Sequence, residues 1–133
     1  MIMIDTSVWI DYFNGTENKA TNTLDNILVE GNAVIGDLIL LEILQGFRTD
    51  KDYKLAKKSL KNLEQYELFG KHMVEKCANN YRSLRKKGIT IRKTADVIIA
   101  TFCIENNMPL LFSDRDFLPF VEHLDLTTVS PEI

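Results

Sequence analysis

Four acidic residues stand where apolar patterning leaves little room for charge. Asp5 closes the run Met1-Ile2-Met3-Ile4, and Asp114 follows Pro109-Leu110-Leu111-Phe112-Ser113. Glu42 interrupts Leu38-Ile39-Leu40-Leu41-Glu42-Ile43-Leu44, where Arg48 is the only nearby cation, and Asp96 opens the most apolar helical stretch of the chain. Carboxylates brought together raise one another's pKa and cannot all ionise without a counter-charge. A hard divalent cation supplies that charge, and an oxygen-only ligand set selects Mg²⁺ (or Mn²⁺) over zinc. Both histidines, His72 and His123, fall outside the acidic set. A carboxylate-held cation with open positions suits phosphoryl chemistry. Each acid taken singly also has a plainer reading. Asp5-Thr6-Ser7 can cap a helix, Asp96 can complement a helix dipole, Glu42 can face solvent, and Ser113-Asp114-Arg115-Asp116 can be a turn before a short helix. Joint placement at one edge of a sheet is what favours the metal site.

The elements that must position these acids follow from periodicity. Short apolar runs at 1–4, 33–35 and 109–112 read as strands, as does Tyr66-Glu67-Leu68-Phe69 before Gly70, with Leu126-Thr127-Thr128-Val129 a last, partly polar one. Between them, helical spacing marks a short helix through Trp9 and Phe13, then Ala20, Leu24, Ile27 and Leu28 up to Gly31-Asn32. Asp37 is placed to cap a helix over 38–47, and Tyr53, Ala56, Leu60 and Leu63 mark the next. Met73, Cys77, Tyr81 and Leu84 form the stripe of a helix ending at Gly88, and 95–104 is apolar on nearly every face. Short apolar strands alternating with helices predict an α/β fold, a parallel sheet covered on both faces. In such sheets ligands sit beyond the carboxyl ends of the strands, where strand order reverses. Asp5 and Asp114 occupy such ends, and the helices carrying Glu42 and Asp96 begin at the same edge.

With 133 residues, 45% of them apolar and 26% charged, the chain has the size and composition of one domain, 1–133. A disordered chain, a collagen-like repeat and a disulfide scaffold are excluded by that composition and by the presence of only two cysteines. No apolar run is long enough to span a bilayer, and the stretch before Asp5 is too short for a signal sequence, so a cytoplasmic protein is expected. Cys77 and Cys103 read as core thiols; Trp9, Phe102 and Phe112 read as core; Phe13, Phe117 and Phe120 fit either a core or an interface.

The net charge of −3 conceals a strong segregation. Residues 48–93 hold fourteen of the sixteen bases and five acids, a local net of +9, leaving −12 for the remainder. Lys54, Lys57, Lys58 and Lys61 share one helix face at i, i+3, i+4, i+7. Arg82, Arg85, Lys86 and Lys87 crowd the end of the next helix, with Arg92 and Lys93 just beyond. Such a surface can follow a phosphate backbone, or it can be a solvated face with cations at helix C-termini.

Four motifs in order resemble the PIN domain, and more closely the VapC-type toxin ribonucleases of toxin–antitoxin pairs. They are Met3-Ile4-Asp5-Thr6-Ser7-Val8-Trp9-Ile10, Leu41-Glu42-Ile43-Leu44-Gln45-Gly46, Thr94-Ala95-Asp96-Val97-Ile98-Ile99-Ala100 and Leu111-Phe112-Ser113-Asp114-Arg115-Asp116-Phe117. The resemblance implies a three-layer α/β/α fold with a five-stranded parallel sheet of order 3-2-1-4-5, and a Mg²⁺-dependent endoribonuclease. It further implies Asp5, Glu42, Asp96 and Asp114 as the catalytic quartet, with Asp5 and Asp96 as direct metal ligands and Asp114 beside them. Asp116 matches a frequent extra acid that binds metal through water. Thr6 or Ser7 matches a family hydroxyl, and Ser113 stands where the family usually has threonine. RNA is the implied substrate; beside the acidic quartet, the charge pattern then reads as an RNA-guiding track of Lys54, Lys57, Lys58, Lys61, Arg85, Lys86, Arg92 and Lys93, a surface that can equally receive an acidic antitoxin segment. A VapB-type antitoxin and a homodimer are the implied partners.

Two other phosphoryl-transfer readings fit poorly. A phosphorelay receiver needs an acid ending its third strand and a lysine ending its fifth, where this chain has Phe69-Gly70 and Thr127-Thr128-Val129-Ser130-Pro131. A phosphatase with an Asp-x-Asp nucleophile carries it on the first strand, whereas here Asp114-Arg115-Asp116 follows the fourth. A non-catalytic RNA-binding α/β domain is the remaining alternative.

Overall fold

A computed structural model describes residues 1–129. The strands β1 (Ile2–Ile4), β2 (Ala33–Gly36), β3 (Glu64–Tyr66) and β4 (Leu110–Leu111) form one parallel sheet of order β3-β2-β1-β4. Helices α1 (Thr6–Phe13) and α2 (Lys19–Val29) link β1 to β2, and α3 (Asp37–Gln45) and α4 (Asp50–Leu60) link β2 to β3. The return from β3 to β4 runs through α5 (Val74–Lys86) and α6 (Thr94–Glu105), and α7 (Leu118–Leu124) follows β4. Parallel crossovers are right-handed. Connections stepping one way along the sheet therefore lie on one face, and the return lies on the other. The helix contacts divide accordingly: α1 packs on α2 and α3, and α3 on α4, while α5 packs on α6 and α7. The fold is thus three-layered α/β/α, and the strand order reverses between β1 and β4.

Local sequence explains the element ends. Asn18 and Thr21 form a reciprocal capping box at the start of α2, each side chain bonded to the other's backbone N–H. The chain leaves α2 through Gly31 at φ +73, a left-handed conformation in which a side chain is strained. The core joins Met3, Ile4 and Trp9 to Ile35, Ile39, Leu110, Phe112, Phe117 and Phe120, all buried. Phe117 and Phe120 are therefore core, while Phe13 is half-buried between Trp9 and Phe47. Cys77 and Cys103 are free and buried, and burial pushes the Cys103 thiol up to about 12.

Three local expectations change. The described sheet has four strands rather than five. The stretch Leu126-Thr127-Thr128-Val129 survives as a single parallel bridge between Thr128 and Leu110, with Leu110 N donating to the Thr127 carbonyl at 2.9 Å. A two-residue β4 offers little ladder, and the outer segment is half polar. Ser130 and Pro131, assigned from sequence to the end of that strand, lie outside the described residues. The third strand is Glu64–Tyr66, not 66–69. Leu68 leaves the sheet to pack over Gly36, so closely that a Cβ there would collide with it. Its N–H donates to Asp37 Oδ1 at 3.1 Å. Asp37 is itself the first residue of α3, and Gly36 is the N-cap.

Candidate functional site

The acids at positions 5, 42, 96 and 114 line one open cleft of about 300 Å³ beyond the carboxyl ends of β1 and β4. Asp5 is delivered there by β1, its N–H held by the Leu111 carbonyl at 2.9 Å. It is also the N-cap of α1: Oδ2 accepts the Ser7 hydroxyl at 2.8 Å and the Ser7 N–H at 3.4 Å. Capping and cleft-lining are therefore properties of the same residue, not rival readings. Burial pushes its pKa up to about 6, the Ser7 hydrogen bonds oppose that, and Glu42 adds to it.

Glu42 reaches the cleft from the middle of α3, where its Oε1 accepts the Thr6 hydroxyl at 2.6 Å. Its partner among the described residues is that hydroxyl, not Arg48. Ser7 Oγ also lies 3.3 Å from Ser113 Oγ, so the hydroxyls after β1 and β4 meet across the sheet edge. Thr6 thus holds Glu42, while Ser7 holds Asp5.

Asp96 sits in the first turn of α6 and is buried. Its Oδ2 has no hydrogen-bond partner. Burial drives its pKa up to about 7. The nearby Asp5 adds to this, Lys93 opposes it, and Asp114 and Asp116 contribute further upward. Asp114 caps the 3₁₀ turn Arg115–Phe117 by accepting the Asp116 N–H at 2.9 Å. Carboxylate oxygens of Asp96, Asp114 and Asp116 lie within 4.8 Å of one another. Asp5 is not in that group, and one of its oxygens is turned to Ser7. Asp116 carries its own cation, with Arg92 Nη2 donating to its Oδ2 at 3.0 Å, and Lys93 Nζ lies 3.7 Å from Asp114 Oδ2.

An unpartnered buried carboxylate oxygen costs on the order of 1–3 kcal/mol. A cation placed among these oxygens would relieve both that deficit and the mutual repulsion. The donor set is all carboxylate and hydroxyl, and His72 and His123 are exposed on other elements. The residues present therefore fit a hard divalent cation and do not resemble a zinc site.

Of the bases marked from sequence, only Lys93 lines the cleft, with Arg92 attached through Asp116. Lys54, Lys57 and Lys58 are exposed along α4 and Lys61 at its C-cap, Lys57 lying 5.8 Å from the Tyr53 ring centre. Arg85 stacks over Tyr81, and Lys86 ends α5 exposed. None of these six lines the cleft. Two residues that do, Ile10 and Gln45, were missed in the sequence. Their signal was helical spacing: Ile10 is four residues after Thr6, and Gln45 three after Glu42, each on the face of the residue already marked.

Among the described residues no helix is long and apolar enough to cross a membrane. In fold, the chain is similar to VapBC-1 from nontypeable Haemophilus influenzae (TM-score 0.73, 18% identity, 98% of each chain covered). It is also similar to VapBC2 from Rickettsia felis bound to a DNA fragment from their promoter (TM-score 0.71, 21% identity, covering 96% of this chain and 97% of that one). FitAcB from Neisseria gonorrhoeae gives TM-score 0.71 at 16% identity over 99% of each chain. In sequence, the chain is 30% identical over 119 residues to VapC ribonuclease Mb1587 of Mycobacterium bovis and to Ribonuclease VapC11 of Mycobacterium tuberculosis, covering 88% of this chain and 89% of each relative. Residues 2–120 match the PIN domain. That match runs from β1 into α7 and takes in every acid of the cleft, and this chain belongs to the PIN-domain family.

Proposed function

We propose that this chain is a divalent-metal-dependent endoribonuclease of VapC type, the toxin of a toxin–antitoxin pair, acting on RNA in the cytoplasm. The observation that carries the reading is the unpartnered oxygen of buried Asp96 in a cleft shared with Asp5, Glu42 and Asp114. The named ribonuclease activity of its relatives supports it. In this reading Asp5, Asp96 and Asp114, with Asp116 beside them, hold Mg²⁺ (or Mn²⁺). When bound, the cation supplies Lewis acidity toward water and phosphate oxygens.

The protein's own groups account for the remaining chemistry. Glu42, held by Thr6, takes a proton from the attacking water as general base. Ser7 and Ser113 fix the Asp5 carboxylate at the strand ends. Lys93 sets a positive charge beside the reacting phosphate. Lys54, Lys57, Lys58, Lys61, Arg85 and Lys86 attract the RNA backbone at longer range, or receive an acidic antitoxin segment. A VapB-type antitoxin is the inhibitory partner and a homodimer the working assembly. The similarity to VapBC and FitAcB structures supports the first of these.

Induced expression of the wild type and of Asp5→Asn, side by side, tests the reading. Growth arrest with discrete RNA fragments from the wild type alone is expected. Equal arrest by both chains would assign the effect to RNA binding without cleavage.

A further inference from the structure

The segment entering α6 sets two cations against the acidic cleft. Arg92 donates to Asp116 at 3.0 Å and Lys93 lies 3.7 Å from Asp114, and both acids belong with Asp96 to the group whose oxygens approach within 4.8 Å. The backbone here is fixed: Ile91 is buried, and the Lys93 carbonyl accepts the Asp96 N–H at 3.1 Å. The side chains of Arg92 and Lys93 reach into solvent, 76% and 58% accessible, while those of Asp116 and Asp114 are each 26% accessible. Exposed pairs of this kind are weak and readily exchanged.

We propose that Arg92 and Lys93 are built-in counter-ions of the cleft. They neutralise Asp116 and Asp114 in the metal-free chain and transfer to RNA phosphate when a divalent cation takes those acids. The inference rests on the nuclease reading and adds a coupling to it. A cation entering the group displaces two positive charges by repulsion and by competition for the same oxygens. A released guanidinium is a two-pronged phosphate donor, and a released ammonium is a compact charge. Metal binding and RNA binding therefore strengthen each other, and by linkage the effect is reciprocal.

The first measurement is Mn²⁺ affinity of the full chain without RNA, read from the paramagnetic resonance signal of free Mn²⁺. Arg92→Gln and Lys93→Met should each bind Mn²⁺ about two- to fivefold more tightly than the wild type. Lys71→Gln, the same charge change away from the cleft, should stay within about twofold. Unchanged or weaker binding by both cleft variants overturns the proposal. So does equal tightening by Lys71→Gln, which would make the effect one of net charge. The second measurement is fluorescence anisotropy of a mixed-sequence twelve-nucleotide RNA with and without Ca²⁺. Added Ca²⁺ should tighten RNA binding by the wild type but not by the Arg92→Gln/Lys93→Met double variant, and equal tightening in both rejects the exchange. Neither measurement depends on cleavage. A wild type that binds Mn²⁺ and cuts no RNA sinks the nuclease reading alone, and one that binds no Mn²⁺ sinks both.

Discussion

The acids of the cleft and the lysines of α4 are both dense clusters of like charge, yet their surroundings are opposite. Asp5 and Asp96 keep 4% and 6% of their surface accessible, whereas Lys54, Lys57, Lys58 and Lys61 stand in solvent along the outer face of a helix that buries Ala56 and Leu60. The lysines come from one helix, and its ends follow the dipole, with Asp50 and Asp52 in the first turn and Lys57 and Lys58 in the last. The cleft acids come from positions 5, 42, 96 and 114, and both Asp5 and Asp96 feel acids far away in sequence, Glu42 acting on Asp5 and Asp5 on Asp96. Solvated charges act nearly independently and are screened by salt. Buried ones act on each other, as Asp5 does on Asp96, so a change at one is felt at the other.

That contrast is broken or sharpened most strongly by Asp5→Asn. It should lower RNA cleavage on the order of 10³-fold while the melting transition persists. Retention of wild-type cleavage in Mg²⁺ would remove Asp5 from the machinery.

Next in size is the pH dependence of metal binding. Asp96 and Asp5 titrate near 7 and 6, so protons compete for the site on the acid side of neutrality. Mn²⁺ affinity measured by calorimetry should fall from pH 8 to pH 6, approaching about tenfold per pH unit for each proton displaced. A flat profile over that range contradicts a role for Asp96 in holding the cation.

The same raised pKa values act on folding with a definite sign. The unfolded chain loses these protons near pH 4 and the folded chain only near 6 to 7, so the folded state holds more protons between. Stability of the metal-free protein therefore falls as pH rises from about 4 to 7. Asp96→Asn should recover about 1–2 kcal/mol at pH 7 and flatten that slope, measured by urea unfolding in a chelator. Destabilisation by the variant would show that the Asp96 carboxylate is held by favourable contacts.

Smallest of all, single Lys→Gln changes at 54, 57, 58 or 61 should weaken RNA binding about two- to threefold each, nearly additively. Each should also reduce the salt slope by roughly one unit. A tenfold loss from one of them would mean that α4 carries a specific contact rather than a diffuse field.

Much of this was legible in the chain because strand and helix patterns are local. The run Met1-Ile2-Met3-Ile4 before Asp5 announced a buried strand ending in an acid, and β1 is buried at Met3 and Ile4. The apolar stretch after Asp96 announced a helix packed on several sides. The third strand misled, because Tyr66, Leu68 and Phe69 look like strand residues. Leu68 instead covers Gly36, and Phe69 is exposed. The fifth strand was overread for the converse reason: its partner β4 is too short to extend it beyond a bridge.

The sequence alone determined which acids occupy strand ends and helix starts, and which positions share a helix face. These follow from covalent spacing and helical periodicity. Only the tertiary structure decided where each carboxylate oxygen is spent. Asp5 turns one oxygen to Ser7, Asp96 leaves one without a partner, and Asp114 and Asp116 draw in Lys93 and Arg92. A pattern of residues encodes where an element begins. The partner of a buried charge depends on which distant segments burial brings within a few ångströms, and in this sheet that is set where β1 and β4 meet.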